Sequence, residues 1–357
     1  MNVIVAGYVL SQAKQECGTP FAAVTFNGFN FPSNGYDSVP SLALQSLMLR
    51  PRVSALAVLV LFSSLLPAQI RPALANHIRA EMNFLASDAL RGRGSATHDE
   101  LVAATYVVSQ FQSFGLQNAH LQSIELPSGQ MTYNAYAMLR GSDPVLSAQT
   151  ILLSAHLDHL GYRPNLHGSD SIFYGADDDA SGTTAVLELA RSFASAPHRP
   201  RRTVVFVCFG SEETGGQGNE YFMANPPAPF SSIVANLEFE MIGHADPSLA
   251  PNQLFLTGWE RTDLGPTLAT HGAPLVADPH IKGQFFQRSD NFALAQRGIV
   301  AQTVSSYGLG KHYHTPADDL AHIDFEHLAT AIQSMIPSVR WLANTDWKPA
   351  WNPGGRP

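Results

Sequence analysis

Beyond residue 96 the chain switches between segments whose apolar residues return every three or four positions and segments that are apolar almost throughout. Thr97-His-Asp-Glu100 has the form of a capping box, and Ala103, Tyr106, Val107, Phe111 and Phe114 then line one side of a helix that Gly115 stops. The same spacing predicts a helix over 181–196, with Ala185, Val186, Leu189, Ala190 and Phe193 on its inner face. A last long helix opens at Asp324 and presents Phe325, Leu328, Ile332, Met335, Ile336, Val339 and Leu342, with a kink expected at Pro337. Strands are predicted at 134–139, 150–155, 203–209, 233–241, 254–257 and 299–304. The run TVVFVCF at 203–209 lacks polar alternation, so it reads as a strand covered on both faces. Alternating strand and helix signals argue for an α/β chain, a three-layer α/β/α sandwich around a largely parallel sheet. There is no repeat and no long divider after residue 69, so 69–357 reads as one domain with an irregular tail after Asn344.

The front of the chain is different. Residues 1–47 hold neither period for long; a basic segment at 48–52, an apolar run from Val53 to Leu66 and the small segment Leu66-Pro67-Ala68 follow. That order describes a signal peptide at 48–68, too short for a membrane span, with cleavage after Ala68 or Ala75. Met48 then reads as the initiator and 1–47 as a disordered over-extension of the reading frame; the alternative is an N-terminal domain followed by a buried helix. The expectation is an exported protein, periplasmic or secreted, with no stable membrane span after cleavage.

Composition narrows the chemistry. With 45% hydrophobic and 14% charged residues the chain can build a large core. A net charge of −8 with no basic cluster argues against nucleic acid as a partner. Two cysteines, Cys17 and Cys208, exclude a disulfide framework and a cysteine zinc site, and Cys208 reads as a small buried hydrophobe.

Acidic and histidine residues gather where predicted strands end. His156 and Asp158 follow ILLSA, and Asp177-Asp178-Asp179 sits in GADDDASG just before a helix. Glu212-Glu213 follows TVVFVCFGS, Glu240 ends NLEFE, and His314 lies beyond the strand near Ile299. In an open α/β sheet such ends converge on one crevice. Carboxylates crowded there repel one another and raise each other's pKa, a conflict that divalent cations remove. Zinc takes imidazole nitrogen and carboxylate oxygen at about 2 Å and leaves a position for water. Two ions about 3.5–4 Å apart can share a carboxylate and a water. Singly, each group fits a plainer role: a hydrogen-bonded histidine, an acidic helix start, a solvated Glu pair. Those plainer roles do not explain why all of them fall at strand ends.

The motifs AHLDH, GADDDASG, SEETGGQGN, FEMIG and YHTPADD, in that order and spacing, resemble the co-catalytic zinc aminopeptidases, the family of secreted bacterial leucyl aminopeptidases and vacuolar aminopeptidase Y. The resemblance runs from about Ala75 to Ala343, and FLASDALRGRGS resembles the family's N-terminal stretch. It implies a zinc-exopeptidase (phosphorylase/hydrolase-like) fold with a mixed sheet, two zinc ions per chain, and peptide substrates with a free N-terminus. Carried over by motif, His156 and Glu240 hold one zinc, Glu213 and His314 the other, and Asp178 bridges them. Asp158 accepts the N–H of His156 and fixes its tautomer, and Glu212 is the general base.

The chain departs from the pattern in three places. Glu240 stands where many relatives have Asp. Phe285-Phe286 replaces an oxyanion-binding Tyr, for which Tyr307 or Tyr313 is the substitute expected here. Ser289-Asp290-Asn291 stands for Ser-Asp-His, with Asp290 expected to organise hydrogen bonds behind the ligands. His159, His167, His244, His280 and His312 have no motif partner and read as surface or loop residues, as do Arg91 and Arg93 at a helix end. Rival functions are a single-zinc glutaminyl-peptide cyclotransferase, a carboxypeptidase or dipeptidase of the same superfamily, and an inactive binding module.

Overall fold

A computed structural model describes residues 72–357 except Gln117, His167, Gly168 and Tyr307. The expectations for 1–47, for the signal segment 48–68, for cleavage after Ala68, and for His167 and Tyr307 lie outside the described residues. The chain opens with α1 (Pro72–Leu85) and α2 (His98–Ser113), then runs through β1 (His120–Glu125), β2 (Met131–Leu139), β3 (Thr150–His156), the hairpin β4 (Gly161–Leu166) and β5 (Ser169–Phe173), and α3 (Gly182–Ala194). There follow β6 (Thr203–Phe209), α4 (Gln217–Ala224), β7 (Ile233–Phe239), β8 (Leu254–Leu256), α5 (Leu264–Thr270), β9 (Leu275–Ala277), α6 (Asn291–Gln296), β10 (Ala301–Ser305) and α7 (Phe325–Asn344). Ala75, the second expected cleavage point, lies inside α1.

Eight strands form one sheet in the order β1-β2-β6-β3-β7-β10-β8-β9. Its middle, β6-β3-β7-β10, is parallel, while β2 against β6 and β8 against β10 are antiparallel. The expected α/β sandwich with a mixed, mostly parallel sheet is therefore what the chain builds.

The unbroken apolar run of β6 has its reason in the layers. Val204, Phe206 and Cys208 enter a core shared with α1, α2, α3 and α7, where Ile78, Val107, Val186 and Leu328 are buried. Val205, Val207 and Phe209 face the opposite side, against Phe222 of α4 and Leu294 of α6. Phe206 meets the rings of Phe111 and Phe193 at 6.3 and 5.9 Å between centroids. Cys208 is wholly buried, and burial pushes its thiol pKa up, as fits an inert packing residue.

The capping box forms with a variation. Thr97 caps α2 by accepting the Glu100 N–H, but Glu100 reaches back to the N–H of Ala96 (2.9 Å). Its other oxygen accepts the Thr132 hydroxyl (2.8 Å) and the Ser211 N–H (3.1 Å), so one buried carboxyl ties α2 to the turn leaving β6. Burial, with Asp158 nearby, pushes that carboxyl to about 9. At the other end Asp324 caps α7 by accepting the N–H groups of Glu326 and His327, and the helix continues through Pro337 to Asn344. Among the described residues no helix is long and apolar enough to cross a membrane.

Candidate metal centre

Because β3, β6, β7 and β10 run parallel, their C-terminal ends open on one side, and there the chain turns. Ser211, Met241 and His314 hold left-handed φ values of 57°, 52° and 53°, each at or next to an acidic or histidine residue of the crevice. Such values are unfavourable for residues with a Cβ and persist where surrounding bonds over-determine them. The Ser306 N–H and the Ser305 hydroxyl both donate to the Met241 carbonyl, tying the β7 and β10 turns together.

Asp177, Asp178 and Asp179 divide the work in the turn before α3. Asp179 accepts the N–H groups of Gly182, Met241 and His156. Asp177 accepts the Gly243 N–H and pairs with His244 Nδ1 at 2.7 Å. The N–H groups of Asp177 and Asp178 donate to Asp318 at 2.8 and 3.1 Å. Asp178 is left facing the crevice, with Oδ1 3.2 Å from His156 Nε2 and Oδ2 3.1 Å from His314 Nε2. Glu213 Oε2 lies 3.2 Å from the same His314 nitrogen. Glu240, the first residue past β7, joins His156 and Asp178 in one group of converging ligand atoms, while His159, Glu213 and His314 join Asp178 in another.

These atoms fit metal better than each other. His156 Nε2, His314 Nε2 and Asp178 Oδ2 are buried and have no hydrogen-bond partner. Ligands about 2.0–2.1 Å from a tetrahedral zinc sit about 3.3 Å apart, close to the separations of 3.1–3.2 Å between these nitrogens and oxygens. The donor set, imidazole and carboxylate with no thiolate, suits zinc.

Electrostatics point the same way. Burial pushes Glu240 up to about 7, with Asp178 and Glu213 adding to the effect. Glu212 is held well above the ordinary range by burial, opposed by His156 and reinforced by Asp290, Glu240 and Asp158. Burial works against the anion of Asp178 too, yet His156, His314 and His159 hold it well below its usual range. A crevice lined with this much carboxylate is built to attract a cation.

Three expectations need correction. Asp158 does not hold His156 through its carboxylate, which is 3.9 Å from Nδ1; the ring nitrogen lies 3.2 Å from the Asp158 main-chain carbonyl instead. The carboxylate is taken by the Ser95 hydroxyl (2.5 Å) and the N–H groups of Glu212 (3.0 Å) and Glu213 (3.3 Å), so it shapes the β6 turn. His159 is not a surface residue: it is wholly buried, with Nδ1 2.8 Å from Glu213 Oε1. Its signal was its place in the same strand-end turn as His156 and Asp158. Arg93 is not exposed either; its guanidinium is buried and donates to the carbonyls of Leu157, Leu85, Tyr174 and Gly175. Arg91 is exposed, over the ring of Tyr162.

The other residues singled out lie around the crevice. Asp290 is buried, its carboxyl pushed to about 7 by burial and by Asp158 and Glu240, and its main-chain carbonyl accepts from Asn219. His244 pairs with Asp177, and His280 lies 2.5 Å from Asp246, both in loops; His312 is a half-buried loop residue beside His322. Beside Glu240 a pocket is lined by Met241, Phe255, Phe285, Leu309, Arg288 and Tyr313.

The profile of peptidase family M28 matches residues 134–339. Leupeptin-inactivating enzyme 1 of Streptomyces exfoliatus is 26% identical over 308 residues, 76% of this chain and 65% of its own. Leucine aminopeptidase 1 of Ajellomyces dermatitidis is 26% identical over 262 residues, 68% of this chain and 65% of its own. The chain thus spans slightly less than two thirds of those relatives. Among solved structures, the zinc aminopeptidase BSAP of Bacillus subtilis superposes with a TM-score of 0.62 at 14% identity, over 79% of this chain and 97% of its own. The aminopeptidase of Aneurinibacillus sp. strain AM-1 gives 0.60 at 15% identity, over 78% and 96%. These two likenesses concern the fold. With its profile match running from β2 into α7 and enclosing every group of the crevice, the chain belongs to peptidase family M28.

Proposed function

We propose that the protein is an exported aminopeptidase that binds two zinc ions and removes N-terminal residues from peptides. The observation that carries this reading is the division of Asp178, whose two oxygens face two different ligand groups. His156 and Glu240 would hold one ion, Glu213 and His314 the other, and Asp178 both. Zinc bound there supplies polarisation of the scissile carbonyl and a water acidified towards neutrality. Glu212, held beside the ligand Glu213 by the N–H bond it gives Asp158, takes the proton of the attacking water and hands it to the leaving amine. Burial and the carboxylates of Asp178 and Glu213 push the Tyr313 phenol pKa up, so it stays a donor for the developing oxyanion. Its oxygen accepts from Arg288 at 3.3 Å, leaving the O–H to point elsewhere. The apolar walls Phe255, Phe285, Met241 and Leu309 suit an apolar terminal side chain.

One observation favours a second reading, cleavage from the carboxyl end. Arg288 lines the same pocket, is exposed, and stacks over Phe285 and Tyr313 at 5.5 and 5.8 Å. A panel of aminoacyl chromogenic substrates, their N-acetylated forms, and N-blocked peptides with a free carboxyl end separates the two. Aminopeptidase action predicts turnover of free-amine substrates only, abolished by chelation and restored by zinc. Hydrolysis confined to N-blocked peptides would overturn it.

A further inference from the structure

His159 is fixed by the fold before any ligand arrives. Its N–H donates to the Arg93 carbonyl at 3.1 Å, and its ring lies against Gly175, where an added Cβ would come within 2.4 Å of the His159 Cγ. The edge of the ring meets His314, with centroids 5.6 Å apart. Wedged there, His159 Nδ1 stands 2.8 Å from Glu213 Oε1 with the geometry of a hydrogen bond, and 3.7 Å from Asp178 Oδ2. Two ligands of one tetrahedral zinc lie about 3.3 Å apart, so the shorter distance suits a proton between nitrogen and oxygen rather than a shared ion. All three histidines leave Nε2 buried without a partner, but in His156 and His314 it is that unpartnered Nε2 that meets the carboxylates, whereas His159 meets them through Nδ1, already hydrogen-bonded to Glu213.

We propose that His159 is a positioning residue for Glu213: it donates Nδ1–H to Oε1 and leaves Oε2, the oxygen beside His314, for the second ion. This rests on the two-ion reading and adds a residue outside its ligand set. A carboxylate capped in this way offers the ion one oxygen rather than two, which keeps a coordination position free for substrate. The orientation of the acid is set by a neighbour that does not itself touch metal.

The test is zinc binding by the full chain, stripped of metal and titrated against a chromophoric chelator, for the wild type, His159→Ala and His159→Asn. The Asn amide nitrogen falls close to the place of His Nδ1 and can donate the same bond. Alanine is expected to weaken one of two zinc constants by about 10–100-fold, with asparagine within a few-fold of wild type. Two wild-type constants in His159→Ala would reduce the residue to packing, and asparagine as weak as alanine would make the imidazole a ligand. Should alanine not fold, His159→Asp, which cannot donate to Glu213 when ionised, replaces it and is expected to lose the site that asparagine keeps. A wild-type protein that binds fewer than two zinc ions sinks the two-ion reading first, before any variant is compared.

Discussion

Replacing Arg93 by lysine keeps the charge and removes the fork. The buried guanidinium donates from Nε to the Leu157 carbonyl (2.8 Å), from Nη1 to Leu85 (2.5 Å) and Tyr174 (2.8 Å), and from Nη2 to Gly175 (2.8 Å). An ammonium donates from a single atom and can meet about two of these four carbonyls, leaving the others buried without a donor. A bond to a charged donor contributes about 1.5–3 kcal/mol, so two lost bonds place the loss at about 3–6 kcal/mol. Many domains are stable by only about 5–15 kcal/mol. The clamped carbonyls also matter for the metal centre, because Leu157 lies between His156 and Asp158 and Gly175 opens the turn that carries Asp178. The same variant should therefore bind zinc more weakly, by about 10–100-fold. Urea unfolding followed by tryptophan fluorescence, in chelator, measures the first quantity, and chelator competition the second. An unfolding free energy within about 1 kcal/mol of wild type would refute the bond count.

Three further outcomes are expected. Glu212→Gln should keep its zinc and its fold while turnover falls by about 100–10,000-fold; a fully metallated variant with wild-type turnover would remove Glu212 from the chemistry. Glu81 and Glu188 are both buried against one Arg191, at 2.6 and 2.9 Å, and burial, with Glu188 next, raises Glu81 well above its usual value of 4.5. Stability from that protonated carboxyl is complete below pH 4.5 and is lost as pH rises towards the higher folded pKa, so Glu81→Gln should gain on wild type as pH increases; denaturation midpoints at pH 5 and pH 8 check the sign. Zinc at a thousandfold excess over its Kd should stabilise the protein by about 4 kcal/mol, an effect that His314→Ala should largely abolish in calorimetric melting.

Long, periodic elements were legible in the sequence because their patterns follow from burial. The β6 run matched in full, α2 and α7 began at their caps, and Gly115 ended α2 in a left-handed φ of 87°. Short elements escaped: β1 and β9 are edge strands of 6 and 3 residues, and α4 and α6 have 8 and 6, too few for a period to show; α1 escaped despite its 14 residues, because the small residues at its start read as a cleavage site. At the crevice, motif order marked the residues that converge there, whereas the groups behind them were misjudged. Arg93 and His159 carry ordinary surface residue types, and their burial depends on carbonyls and a carboxylate brought in from up to 82 positions away. Asp158 failed for a related reason: no pattern tells whether a side chain or a main-chain oxygen reaches the ring.

The parallel ends of β3, β6, β7 and β10 also impose an order in time. His156 is the first of the converging side chains to be synthesised and His314 the last, and the latter arrives only when β10 has docked beside β7. Until then an emerging chain holds one oxygen of Asp178 opposite an incomplete partner set, so on the two-ion proposal cation capture would belong to the closing stage of maturation. A nascent chain halted before residue 314 would carry a half-built cradle, unable to act on its surroundings while still being made.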